Sequence, residues 1–214
     1  PPRSTLFPYT TLFRSPPTTA KAALGDSAPW SSFIDVDDID LPVELRHPLN
    51  VQTYRKMRLD AQIASLLKAT WMPILRTQAR IDGTGCRDEV AQHVALNLGL
   101  PLVGQEAPVR PLRTRDRFSW AQHLRHVVLA DVYGYSPFEQ VYRYNEETGR
   151  YDLRKLLWIP PWTIDEVKVA PDGVLVQISQ TLAGTQPVPV AELVWHANER
   201  EGANWRGASL LRNC

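Results

Sequence analysis

The prevailing hydrophobic period of this chain changes at Gly134, and that change constrains the fold more than any other feature. Before Gly134 the apolar residues recur mostly at the three-to-four spacing of buried helix faces. After it they alternate, with turn residues at short intervals, as half-buried strands do. Helices followed by antiparallel hairpins predict an α+β fold rather than a doubly wound parallel sheet. No internal repeat is visible.

The helical half predicts three helices. The first starts after Pro48 with Asn50 as cap, buries Tyr54, Met57, Ala61 and Ala64, and stops near Trp71-Met72-Pro73. Ile74–Asp82 alternates and reads as a strand ended by Gly83. The second helix covers about Arg87–Leu98, before Gly99 and Pro101. The third runs near Ser119–Tyr133, with Ser119 as cap and Trp120, Leu124, Val127, Val128 and Val132 facing the core. Then Phe138–Tyr144 and Tyr151–Ile159 flank Asn145–Gly149 as a hairpin. Thr163–Val169 and Val174–Ser179 flank Pro171-Asp172-Gly173 as a second. Val188–His196 is a further strand, and Ala208–Cys214 starts a helix.

The flanks are of a different kind. Pro1–Ser15 has no period and no caps, and it resembles the conceptual translation of a short-read sequencing adapter read in one frame. It is therefore set aside from the fold as an artefact. Pro16–His47 reads as an arm: Pro/Ala/Thr/Ser-rich to Pro29, then acidic, with Asp35, Asp37, Asp38, Asp40 and Glu44 among apolar residues. The folded domain is expected over 48–207, with 208–214 the start of a cut-off helix and the whole chain a fragment.

Charge and motifs remove many functions. There are 24 Lys+Arg and 23 Asp+Glu, a formal charge of +1, so bulk charge cannot drive nucleic-acid binding. Arg110, Arg113, Arg115 and Arg117 form a local basic cluster without interleaved aromatic residues, and read as a solvated loop. Two cysteines, Cys86 and Cys214, exclude a disulfide framework and a Cys-rich zinc module. No apolar run approaches the roughly eighteen residues of a membrane span.

No Gly-Lys dipeptide exists to build a phosphate-cradling P-loop, and there is no Gly-x-Gly-x-x-Gly. Gly134-Tyr-Ser136-Pro-Phe138 is half of a nucleophile elbow, but Phe138 replaces the second Gly and Pro137 forbids the turn. His123 and His126 share a helix face, with no third or fourth metal ligand identified; His93 and His196 have no assigned place. Glu166-Val-Lys168 has the spacing of a metal-dependent nuclease strand, with Asp165 or Asp152 as the further carboxylate. That small nuclease is the alternative reading. No catalytic, cofactor-binding or metal-binding residue is assigned, and no cofactor is expected.

The order of segments resembles a bacteriophage portal protein, most closely the Mu-type and actinophage-like portals. The resemblance begins at Met57–Leu67, where Asp60, Ile63, Ser65 and Leu67 follow the family's Asp-x-x-Ile-x-Ser-x-Leu helix. A Pro-bearing strand, Trp71–Arg80, and a helix, Glu89–Leu98, come next. Its most specific part is Leu129–Tyr142, with Gly134, Tyr135, Ser136, Glu139 and Tyr142 on a Gly-aromatic-Ser-x-x-Glu-x-x-(Trp/Tyr) segment. Leu153–Pro160 follows the later Leu-x-x-(Ile/Leu)-x-Pro strand. Glu192–His196 and Gly207-Ala-Ser-Leu-Leu-Arg212 resemble the elements just before the portal stem.

The resemblance implies a wing-like α+β domain truncated at the start of the stem, with Gly134, Ser136, Glu139, Tyr142, Gly207 and Arg212 as structural residues. It implies a virion protein of the capsid vertex: a homo-oligomeric ring that conducts double-stranded DNA. The implied partners are other portal subunits, the major capsid protein, the terminase and a head–tail adaptor, with no membrane. Another phage head–tail adaptor is the second alternative.

Overall fold

The computed structural model describes residues 41–106, 118–170, 174–180, 187–200 and 205–213. The adapter-like segment, most of the arm and the Arg110–Arg117 cluster lie outside the described residues, as does the turn expected at Pro171–Gly173. Among the described residues, helices precede two small antiparallel sheets, the α+β arrangement expected.

The chain enters through a single 3-10 turn, Val43–Leu45. Helix α1 (Leu49–Met57) buries Val51 and Tyr54. Helix α2 (Ala61–Arg76) is separate from it, because Asp60 leaves helical geometry and its carboxylate accepts from the amides of Gln62 and Ile63. The first expected helix is thus two. Its expected cap, Asn50, is buried within α1, whose first residue follows Pro48.

Helix α2 also runs through Pro73 to Arg76, so the strand expected over Ile74–Asp82 is corrected. Pro73 cannot donate to the Ala69 carbonyl, but both residues are exposed and water can satisfy that acceptor. Thr77 closes the last turn by donating its amide (3.1 Å) and hydroxyl (2.8 Å) to the Pro73 carbonyl. Of the expected strand there remains one parallel bridge, Ile81 to Leu102.

Helix α3 (Asp88–Leu98) ends at Gly99 in the left-handed region. The third expected helix divides into α4 (Trp120–Val127) and the single turn α5 (Ala130–Tyr133). Ser119 precedes α4 but makes no side-chain cap.

The first sheet has the order β2-β1-β6. Strands β1 (Tyr135–Asn145) and β2 (Arg150–Trp158) form the expected hairpin, with the Gly149 amide donating to the Asn145 carbonyl at 2.9 Å. A bulge at Val141/Tyr142 sets Arg154 out of register. Strand β6 (Leu193–Ala197) pairs with the near half of β1, from Tyr135↔Ala197 to Glu139↔Leu193. The near half of β1 is buried and its far half emerges into solvent.

The second sheet has the order β3-β4-β5, from Ile164–Val169, Leu175–Gln180 and Val188–Pro189. The single strand expected over Val188–His196 is therefore corrected. Pro189 and a 3-10 turn at Val190–Glu192 break it, and its two parts serve different sheets.

Two cores result. One joins α1, α2, α5 and Leu211, around Val51, Tyr54, Leu67, Leu129, Val132 and Tyr133. The other lies between the sheets, around Ile159, Leu175, Ile178, Val188 and Leu193. The expected terminal helix is a 3-10 turn, Leu210–Asn213, which delivers Leu211 into the first core.

Candidate functional site

The residues of the Gly134–Tyr142 segment and those of Gly207–Arg212 meet. Gly134 closes α5 with φ +83°, and its amide donates to the Ala130 carbonyl at 2.7 Å. Its own carbonyl accepts from the Asn198 amide at 2.8 Å. Asn198 then accepts from the Ala208 amide at 2.8 Å and returns a side-chain bond to the Ala208 carbonyl at 3.0 Å. Three chain segments are tied at one residue.

The junction requires close backbone approach. Gly207 has φ +67°, and a Cβ there would collide with the Asn198 carbonyl and stand 2.6 Å from the Gly134 oxygen. A Cβ on Gly134 would stand 2.8 Å from the Gly207 oxygen. Only glycine tolerates this backbone at this separation. Two residues on, the Ser209 hydroxyl donates to the Val132 carbonyl at 2.6 Å and accepts from the Leu211 amide at 3.0 Å. Ser209 is buried, so these bonds satisfy it while fixing the chain where Leu211 enters the core.

Ser136 is fully buried. Its hydroxyl donates to the His126 carbonyl at 2.8 Å and accepts from the Trp158 indole at 3.1 Å, joining α4, β1 and β2. The His126 ring stacks on Trp158 at 4.7 Å and 14°. Both lone functions of Ser136 are thereby engaged, and no histidine nitrogen is bonded to it.

Glu139 is half-buried, between Leu157 on β2 and Leu193 on β6. Tyr142 is exposed on the projecting half of β1, its hydroxyl donating to Gln140 Oε1 at 2.6 Å. Tyr144 and Tyr151 lie near the tip, their rings 5.3 Å apart. Arg212 is half-buried in the last turn, beside Arg206, Tyr54 and Tyr133.

The histidines separate. His123 is buried and its ring lies 5.4 Å from that of His196, against Phe138 at 4.4 Å. Burial, with His196 and His126 nearby, lowers its pKa to about 4. Burial lowers His196 and His126 as well. His93 lies elsewhere, 3.2 Å from the Tyr151 carbonyl and 3.7 Å from Asp152. Among the described residues, no group of three or more His, Cys, Asp or Glu is placed to hold a metal ion.

The residues of the alternative reading are dispersed. Asp165, Glu166 and Lys168 are exposed on β3, a sheet edge, with Glu166 opposite Ser179 and Lys168 opposite Gln177. Asp152 belongs to the other sheet and accepts from Asn145 at 2.9 Å. No described helix is long and apolar enough to cross a membrane.

Sequence reasoning did not single out Asn198, Ser209 or Arg206. Ser209 was visible as the Ser of Gly-x-Ser-Leu-Leu-Arg. Asn198 and Arg206 carry no local signal, because their importance comes from contacts between distant segments.

Backbone bonds around the glycines, with buried hydroxyls satisfied, hold these segments together. The chain matches the family model described as the portal protein of Mu bacteriophage, over residues 51–214. None of the curated proteins matches it. The chain belongs to the Mu-type phage portal protein family, a structural family.

Proposed function

We propose that this chain is the wing portion of a portal subunit, part of a homo-oligomeric ring at one capsid vertex. In this reading the ring conducts double-stranded DNA during packaging and ejection. It docks the terminase and later a head–tail adaptor, and contacts the major capsid protein. Assembly takes place in the bacterial host cytoplasm, and the ring remains in the virion. The observation that carries the reading is the family match, which spans nearly all of the described fold.

Within this reading, 48–207 is the wing and 208–214 leads toward the stem. Gly134 and Gly207 set the angle at which the chain leaves the wing. Ser136 locks the β1–β2 hairpin to α4, Glu139 sits within the sheet, and Tyr142 is part of a projecting surface. Arg212 stands at the exit. Their work is positional, and force for packaging comes from the terminase.

The test is immunogold labelling of purified phage particles with antibody to this chain, after mild opening of the vertex. The expected result is label at one vertex per particle. Label distributed over the shell, or absent from particles, overturns the proposal.

A further inference from the structure

The two strands of the first hairpin have different outer edges. On β2 the edge is closed by helix α3. Asn97 Oδ1 accepts the Leu153 amide at 2.6 Å, and His93 Nε2 lies 3.2 Å from the Tyr151 carbonyl. Glu89 adds an ion pair to Arg150 at 3.2 Å. Side chains of a helix thus take the place of a further strand.

On β1 the matching edge is open. Among the described residues, β6 covers it from Tyr135 to Glu139 and no further. Beyond that point Tyr142, Arg143 and Tyr144 are exposed. Register fixes where their backbone groups point. Tyr142 faces Leu153, and Tyr144 faces Tyr151. Leu153 and Tyr151 turn backbone groups outward to α3, so these are non-hydrogen-bonded pairs. The amides and carbonyls of Tyr142 and Tyr144 therefore point outward too, into the open edge.

A second open edge lies on β3, the outer strand of the other sheet, which pairs with β4 on one side. Strand β3 is 6 residues long, the same length as the uncovered stretch 140–145 of β1. Its exposed Asp165 and Glu166 are opposite in charge to the exposed Arg143. Among the described residues none of the three has an ion-pair partner. We propose that the open edge of β1 takes strand β3 of a second copy of this chain, with Arg143 set beside Asp165 and Glu166. Main-chain bonds supply the contact, and the charges select the partner edge. Because the two edges differ, each copy gives one and receives on the other, a contact that repeats around a ring. The inference rests on the portal reading for the repeating assembly and names the surfaces that meet.

The test uses the intact parent gene product, read by analytical ultracentrifugation at low salt. One variant is Arg143→Glu, and the other carries Asp165→Lys with Glu166→Lys. All three positions are exposed and outside both cores. Each variant alone is expected to weaken self-association by at least about tenfold, and their combination to restore it. Unchanged association in either variant alone overturns the proposal, as does a combination that restores nothing. A second readout needs no substitution. In the parent multimer the Tyr142 and Tyr144 amides should exchange slowly with solvent, and rapid exchange there overturns the pairing. A parent that stays monomeric overturns the portal reading itself. A multimer indifferent to these variants leaves that reading standing and removes the pairing.

Discussion

The Gly134 carbonyl oxygen stands 2.6 Å from the point a Cβ on Gly207 would occupy, and it accepts the Asn198 amide at 2.8 Å. Two glycines far apart in sequence thus share one contact, and the backbone between the helical and strand halves turns on it. Alanine at Gly207 is expected to destabilise the domain by at least about 3 kcal/mol, through positive φ and collision with backbone. Alanine at Gly134 is expected to cost a comparable amount. The double variant should lose less than the sum, because both changes break the same approach. Urea denaturation of the three variants measures this.

Ser136→Ala removes the acceptor of the Trp158 indole and the donor to the His126 carbonyl, both inside the fold. The His126 carbonyl keeps the Leu129 amide at 3.1 Å, so the indole is the group left without its partner, at a cost of about 2 kcal/mol. The loss is read in the urea midpoint, and a change in Trp fluorescence is expected because an indole loses its hydrogen bond.

The pairing of Trp71 with Asp131 gives a similar prediction. The indole donates to the carboxylate at 2.8 Å, while burial raises the Asp131 pKa. Trp71→Phe removes the bond that opposes this rise, so the Asp131 pKa should move further up, by NMR titration. A stability loss on the order of 1–2 kcal/mol accompanies it near neutral pH.

Stability should fall in mild acid because of the buried His123. His123 titrates at about 4 in the fold, against an ordinary value of 6.5 in the unfolded chain. Between those values the unfolded chain binds the proton and the folded one does not, so stability rises with pH there. It is fully present above about 6.5 and lost progressively as pH falls toward 4. The expected loss is on the order of 2 kcal/mol. His123→Phe should flatten the profile in that window, measured by melting temperature against pH.

The switch of period at Gly134 was legible because it is local: α5 ends there and β1 begins at the next residue. The two hairpins were legible from turn chemistry around Gly149 and Pro171–Gly173. The continuation of α2 through Pro73 was not, because it depends on solvent reaching the Ala69 carbonyl and on Trp71 being held by Asp131. The division of Val188–His196 between two sheets was also hidden, since alternation does not say which neighbour a strand takes. Histidines were found by residue type, but their grouping was not. The visible spacing joined His123 to His126, whereas the fold joins His123 to His196.

The proposed closure of the parent subunits into a ring has one direct test. The direct measurement is the mass of the intact parent gene product in solution, by light scattering coupled to size exclusion. The account predicts one multimer of fixed stoichiometry whose images show a central channel. A monomer at every concentration tested contradicts it.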